Sequence, residues 1–359
     1  MDVSSRFVRI LSWQQVYARR LAANRLDARA PHEELLDIAR ATLGTHAQLM
    51  TGAELALSAR VEGVTRDEVR ELLWERRELV KGNTIRGTLH LHPANDYALW
   101  KSLRSSRWRE QKWLGWHELT LDEAKYLREA VLAVLDEPRT REEIGAAIGG
   151  KLGDRIASDS WGHLLAPSSD ELVQGPPRGR NVTFVRCDRW ISGWELHDRD
   201  DALREIVRRY VETYGPVRRD ELEHWFAFKL PSDTLDGLEE VDIEGVHSFV
   251  LPGTEFPDAD PSGVRLLAHY DVYVIACHPR DHLIPTQKER IFLRGAGPNP
   301  ALLVDGRVAG VWSRTLRGRR MEIEVEPFAR LTSEQRRELA DDAARVARTY
   351  GAEATLLEK

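Results

Sequence analysis

Apolar positions in the first third of the chain recur mostly at helical spacing, in runs closed by recognisable caps. Leu35, Ile38, Ala39 and Leu43 form one stripe, beginning after Pro31, whose fixed φ suits a first helical turn, and ending at Gly44, a helix stop. Glu33 and Glu34 lie where the positive end of that helix dipole would favour them. A second helical stretch covers residues 53–59, and a third opens at Thr65 and runs through Leu72, Leu73 and Trp74. The period then changes to two. Over residues 84–92, Ile85, Leu89 and Leu91 fall on one face and Thr84, Arg86, Thr88, His90 and His92 on the other, which predicts a strand.

Helical patterning resumes through Trp100 and Leu103, then from Thr120 through Leu127, Val131 and Leu135, and from about residue 156 to 172. Another helix is expected near Asp201 through Leu203, Ile206, Val207 and Tyr210, broken at Gly215-Pro216 and continued through Trp225. The last third predicts strands at 246–251, 264–267, 272–276, 301–304 and 321–325. Asp305-Gly306 is a two-residue hairpin signal joining 302–304 to 308–311. Leu316-Arg317-Gly318-Arg319-Arg320 makes a second, basic turn, and Thr332-x-x-Gln335 caps a terminal helix.

A short helical phrase occurs three times: Thr65-Arg66-Asp67-Glu68-Val69, Thr140-Arg141-Glu142-Glu143-Ile144 and Arg218-Arg219-Asp220-Glu221-Leu222, about 75 residues apart. Two copies are Thr-x-x-Glu capping boxes, in which hydroxyl and carboxylate satisfy otherwise orphaned N–H groups. Each copy follows a longer helix and precedes a strand-like run. Helix, short helix and β-ribbon in that order predict a winged helix-turn-helix unit, so the expected fold is α+β, with three tandem units and a strand-rich C-terminal part. The expected boundaries are 1–115, 116–197, 198–260 and 261–359. With no low-complexity linker between them, the units are expected to pack as one body.

At 359 residues the chain is long enough for such an array, and 42% hydrophobic with 31% charged residues is ordinary for a globular protein. No apolar run approaches a membrane span, and Met1-Asp2-Val3-Ser4-Ser5-Arg6 has no apolar signal core, so a cytoplasmic protein is expected. Cys187 and Cys277 are too few for a disulfide framework or zinc ribbon and read as idle thiols. A net charge of −6 excludes an indiscriminate, histone-like coat of DNA. It leaves open binding through local clusters of cations, which depends on their placement and not their sum. Several of the eleven Trp adjoin basic residues, as in Arg107-Trp108-Arg109, Lys112-Trp113 and Trp312-Ser313-Arg314; packed aromatics with snorkelling neighbours account for most such pairs.

Candidate chemistry is sparse. His90, His92, His117, His278, Asp281 and His282 have no partner at a recognised zinc spacing, so no metal is expected. The phosphate loop, the dinucleotide glycine motif and the serine-hydrolase elbow are all missing from the sequence, and no cofactor is expected. What survives is His46-Ala47-Gln48, just beyond a terminated helix, where a loop can offer side chains to a cleft. In an extended conformation His46 and Gln48 point the same way and Ala47 faces inward. An imidazole and a carboxamide so placed can hold one water between them.

Four ordered segments add weight to that reading: residues 43–48, the strand 84–91, residues 266–273 (Leu-Leu-Ala-His-Tyr-Asp-Val-Tyr) and the hairpin 303–312. Together they resemble the winged-helix family of AlkZ- and YcaQ-like DNA glycosylases over almost the whole chain. The resemblance implies three tandem winged-helix units forming a concave DNA-binding surface. It also implies monofunctional, metal-free excision of bulky N7-alkylated purines, crosslinks included. The usual family signature is Gln-x-Gln or Gln-x-Asp, and here His46 stands at the first Gln position with Gln48 at the second. That departure resembles the His-x-Gln branch, whose implied role is self-resistance to DNA-alkylating natural products.

The substitution is chemically reasonable. A guanine alkylated at N7 is cationic and leaves as a neutral base, so no general acid is needed, and the protein has only to position and polarise a water against C1′. His46 is the expected general base or water ligand, and Gln48 orients the water and supports the developing sugar charge. An open cleft, rather than a snug pocket for a flipped base, suits a bulky adduct. Arg86, Arg104, Arg107, Arg178, Arg180, Arg314, Arg317, Arg319 and Arg320 are the candidate phosphate contacts, with the 314–320 hairpin as groove probe by analogy with the family. The expected partner is double-stranded DNA carrying a bulky alkyl-purine adduct, bound by a monomer and in DNA repair or self-resistance. The rival reading is a non-catalytic winged-helix regulator or damage sensor.

Overall fold

A computed structural model of the chain describes residues 8–84, 87–103, 109–159, 162–293 and 297–359. The fold mixes helices with several sheets and sorts into two compact units, one of residues 1–69 with 204–359 and one of residues 70–203. Among the described residues no helix is long and apolar enough to cross a membrane.

The described residues open with β1 (Arg9–Leu11), α1 (Trp13–Ala23) and α2 (Leu35–Ala41). Leu43 and Gly44 both take positive φ, 64° and 85°, and Gly44 N–H returns to Ala39 O at 3.2 Å. This left-handed cap ends α2 close to where the glycine predicted. Then come the two-residue strand β2 (Thr45–His46), α3 (Met50–Ser58) and α4 (Arg66–Trp74).

In the second unit β3 (Leu79–Asn83) pairs antiparallel with β4 (Leu89–Pro93). The single strand expected over 84–92 is therefore shortened. Thr84 N–H donates to Thr88 O at 3.1 Å and Gly87 has φ 71°, so β4 starts only at Leu89, and residues 85 and 86 lie outside the described residues. Next are α5 (Tyr97–Lys101), α6 (Gln111–Trp116), α7 (Leu121–Ala133), β5 (Arg139–Thr140), α8 (Arg141–Ile148) and α9 (Gly150–Ser158). The Thr120 and Thr140 capping boxes both form. The helix expected from residue 156 instead begins just after the left-handed Gly149 and stops at Ser158, and residues 163–171 are 3₁₀. Leu127, Val131, Ile144 and Ile156 bury together, and β6 (Leu172–Arg178) pairs with β7 (Asn181–Arg186), which also pairs with β5. The short α10 (Cys187–Trp190) follows.

The chain returns to the first unit through α11 (Arg199–Tyr214) and α12 (Arg219–Phe226), the third copy of the repeated phrase. β8 (Glu239–Ile243) and β9 (Val246–Val250) form a hairpin whose other edge takes β1. A five-stranded sheet follows from β10 (Val264–Leu267), with the short helices α13 (Val272–Ile275) and α14 (Lys288–Ile291) inserted. Its remaining members are β11 (Ala301–Val304), β12 (Arg307–Arg317), β13 (Arg320–Pro327) and, after α15 (Ser333–Thr349), β14 (Glu353–Glu358) in parallel with β13. Asp305 and Gly306 make the predicted turn with φ 48° and 78°, and a Cβ on Gly306 would lie 2.8 Å from Tyr17 Cβ. Of residues 272–276, expected as strand, 272–275 are helical because Asp271 accepts a hydrogen bond from Tyr273 N at 2.9 Å, an N-cap that overrides β-branched propensity.

Both faces of this sheet are covered. Leu266, Leu302 and Ile323 pack with Leu55 of α3 and with Leu339, Ala343 and Val346 of α15, while Leu267, Leu303 and Val308 pack with Leu21 and Tyr273. A buried polar knot pins the first face. Arg345 grips Asp342 at 2.7 and 2.9 Å and reaches Ser58 Oγ of α3 at 2.8 Å, while Asp342 accepts from Leu266 N at 2.7 Å. The sheet thereby fixes the position of α3, the helix that follows His46.

Candidate active site

The loop between α2 and α3 is aimed by strained backbone. Leu43 adopts a left-handed φ that a bulky side chain rarely takes, and the chain turns there into Thr45 and His46. Ala47 is fully buried, as expected, but His46 is only 5% exposed, whereas Gln48 is open to solvent. The two side chains are thus unequally accessible, and the reason is a ring. Tyr270 stacks on the His46 imidazole with centroids 4.4 Å apart and planes 11° from parallel.

Tyr270 is itself delivered by a left-handed residue, φ 59°. Its other side needs a glycine, since a Cβ on Gly297 would overlap the phenol ring. Neighbouring His269 lies across the first turn of α3, where a Cβ on Gly52 would approach its carbonyl oxygen at 3.0 Å. The His269 ring Nδ1–H donates to Pro298 O at 3.2 Å, and burial lowers this imidazole below the usual histidine range, with Arg314 adding to the effect. Asp271 completes the turn. Arg60, at the end of α3, binds it through Nη1–Oδ2 at 2.9 Å and Nη2–Oδ1 at 2.7 Å and also donates to Ala56 O at 2.9 Å. Both ends of α3 are thus keyed to residues 269–271.

The basic hairpin β12–β13 rises from the same sheet. Arg317, Arg319 and Arg320 are exposed at its tip, and among the described residues none of the three has an ion-pair partner. Arg314 sits lower and is half-buried. Its Nη2 donates to Tyr350 Oη at 3.2 Å, and its guanidinium lies over the Tyr350 and Trp312 rings at 5.2 and 5.9 Å. The Tyr350 hydroxyl is within reach of Thr51 O at 3.4 Å and of the fully buried Glu54 carboxylate at 3.5 Å, both on α3. Burial pushes the Tyr350 phenol up to about 12, with Arg314 opposing and Glu54 reinforcing. In the second unit Arg180 is exposed at the β6–β7 turn, and Arg178 is engaged by Glu143 and by Pro138 O. Arg86, Arg104 and Arg107 lie outside the described residues. Among the described residues no cluster of three His, Cys, Asp or Glu side chains has the geometry to hold a metal.

This platform matches one known family. The family model described as DNA glycosylase AlkZ-like covers residues 39–349.

The chain belongs to the AlkZ-like DNA glycosylase family.

The Streptomyces sahachiroi DNA glycosylase AlkZ superposes on this glycosylase with a TM-score of 0.79 at 26% identity, covering 97% of this chain and 99% of that one. No curated protein sequence matches the chain. Both resemblances favour the enzyme over the non-catalytic regulator. The glycosylase acts on DNA, and the matched span runs from His46 and Gln48 through Tyr270 to the arginine hairpin.

Sequence reasoning singled out His46 and Gln48 but not the groups that seat them. Tyr270 and His269 stand inside the 266–273 segment, which carries part of the family resemblance without assigning either residue a role. Arg60, Glu54 and Tyr350 have no motif. Their signal is their tertiary partners.

Proposed function

We propose that this glycosylase hydrolyses the N-glycosidic bond of purines bearing bulky N7-alkyl groups in duplex DNA. The observation that carries the reading is the loop between Gly44 and α3, where His46 is seated against Tyr270 and Gln48 opens to solvent. His46 and Gln48 hold and polarise one water, and the stacked Tyr270 restricts the imidazole to a single orientation. An N7-alkylated purine is already cationic, so its departure needs a placed nucleophile and no acid on the base.

Three passages share one element order: a helix, a short extended segment, two or three helical segments and a β-hairpin. The first runs from α2 through β2, α3 and α4 to β3–β4, the second from α7 through β5, α8, α9 and the 3₁₀ stretch 163–171 to β6–β7. The third runs from α11 through the Val217–Phe249 bridge, α12 and the 3₁₀ turn 232–235 to β8–β9. This order supports three tandem winged-helix units, and with them backbone-directed DNA binding. The exposed Arg317, Arg319 and Arg320, with Arg178 and Arg180 at the second hairpin, supply phosphate contacts. Arg86, Arg104 and Arg107 remain candidates from sequence, and Arg314 braces the hairpin base. His46 in place of the family Gln favours natural-product adducts and a self-resistance role, exercised in the cytoplasm by a monomer.

A base-release assay tests the reading. End-labelled duplexes carrying a single mustard-derived N7-alkylguanine are incubated with the protein and treated with alkali. Strand cleavage at the adduct well above spontaneous depurination is expected. No release from any of several N7 adducts, small or bulky, would overturn it.

A further inference from the structure

A second imidazole belongs to the residue just before the ring stacked on His46, and it has the features of a proton acceptor. His269 precedes Tyr270, the residue stacked on His46, and its carbonyl lies against Gly52 in the first turn of α3. The ring is half-buried, and Nδ1 faces the carbonyl oxygen of Pro298 at 3.2 Å. A carbonyl can only accept, so Nδ1 carries the hydrogen and Nε2 presents a lone pair. Among the described residues Nε2 has no hydrogen-bond partner. A histidine anchored through one nitrogen to a fixed acceptor, with the other nitrogen open, is oriented to receive a proton.

We propose that His269 is the proton acceptor of the glycosylase reaction, taking the proton that the attacking water loses. The inference rests on the reading that His46 and Gln48 hold this water. As the water oxygen bonds to C1′, the C1′–N9 electron pair leaves with the N7-alkylated purine, which departs neutral. One water proton passes to His269 Nε2, and the resulting imidazolium keeps its Nδ1–H on Pro298 O. Charge is conserved: one cation, the alkylated base, is replaced by another, the imidazolium. His46, nearly enclosed under Tyr270, then serves as water ligand. The depressed proton affinity of His269 suits the role, because the ring is neutral and ready at physiological pH. Among the described residues, Arg314 of β12 is the charge that acts on the ring, and the titratable groups of the elements packed around it are Glu54 of α3 and Tyr350 beyond α15, with Tyr270, His46 and Asp271 alongside.

The test is His269→Asn, whose amide nitrogen can still donate to Pro298 O while the accepting Nε2 is removed. Single-turnover excision of a mustard-derived N7-alkylguanine from duplex DNA is followed from pH 5 to 9 alongside thermal stability and DNA affinity. In the wild type the rate is expected to rise with pH through the range below the ordinary histidine value of about 6.5 and then level off. The variant should keep its stability and affinity, slow by about 100-fold or more, and lose the acid limb. His269→Gln, which carries a polar group near the Nε2 position but no base, should be equally slow. A rate within threefold of wild type with the acid limb intact in either folded variant would sink the proposal while leaving the functional reading standing. A wild type that releases no base would sink both.

Discussion

Arg60 and Asp271 form a bidentate ion pair with side-chain exposures of 1% and 0%, joining the end of α3 to the turn that carries His269 and Tyr270. Burial alone would lower the Arg60 guanidinium, but Asp271 outweighs it and raises its proton affinity. Removing one partner leaves the other charge buried and alone, at a cost of about 3–5 kcal/mol. Asp271→Ala should therefore shift the urea midpoint strongly. Asp271→Asn should cost less yet still slow excision, because the turn under His46 is loosened. Excision at the wild-type rate by a folded Asp271→Asn protein would show that the turn does not position the site.

His46→Ala and Gln48→Ala should fold and bind duplex DNA normally but lose most base release. Gln48 is exposed and carries no structural load, so its variant should show no change in melting temperature. Comparable release by wild type and both variants in the alkali-cleavage assay would remove the pair from the mechanism.

Charge reversal at the hairpin tip reports on where the DNA lies. Each phosphate contact contributes about 0.9 to the slope of log affinity against log salt for duplex DNA. Arg317→Glu with Arg319→Glu should weaken binding across sequences and flatten the slope by about two, read by fluorescence anisotropy at several salt concentrations. An unchanged slope would place the phosphates elsewhere.

Glu221 gives the first unit a predictable pH response. Burial raises its carboxyl to about 6 against Arg20, which pulls it down, with Arg20 Nη2 at 4.0 Å and His278 N–H donating at 3.2 Å. The folded state holds this proton more tightly than the unfolded chain, whose value is near 4.5. Stability from this group is therefore full below about 4.5 and is lost as pH rises through about 6, on the order of 2 kcal/mol in all. Glu221→Gln should flatten that part of the urea-midpoint profile between pH 4.5 and 6.5. An unaltered profile would assign the pH response to other groups.

Much of the architecture is legible in the chain because caps and turns are local chemistry. Thr120, Thr140 and Thr332 start helices where their boxes stand, and Asp305-Gly306 turns where the dipeptide is written. Misreadings fall where distant groups intervene. Residues 272–275 are helical because Asp271 caps them, and Asp271 is fixed by a guanidinium over 200 positions earlier.

The same division runs through the candidate site. The sequence by itself determined the chemical types on offer: an imidazole and a carboxamide two residues apart after a helix stop, and a cluster of arginines on a hairpin. Only the tertiary structure decided which of them is covered and which is free, because burial and stacking depend on residues far apart in the chain. Tyr270 stacks on His46 and leaves Gln48 open, Tyr350 engages Arg314, and Arg317, Arg319 and Arg320 are left exposed at the tip. A side chain's reactivity is set by its neighbours in space, and neighbours in space are what a linear pattern does not record.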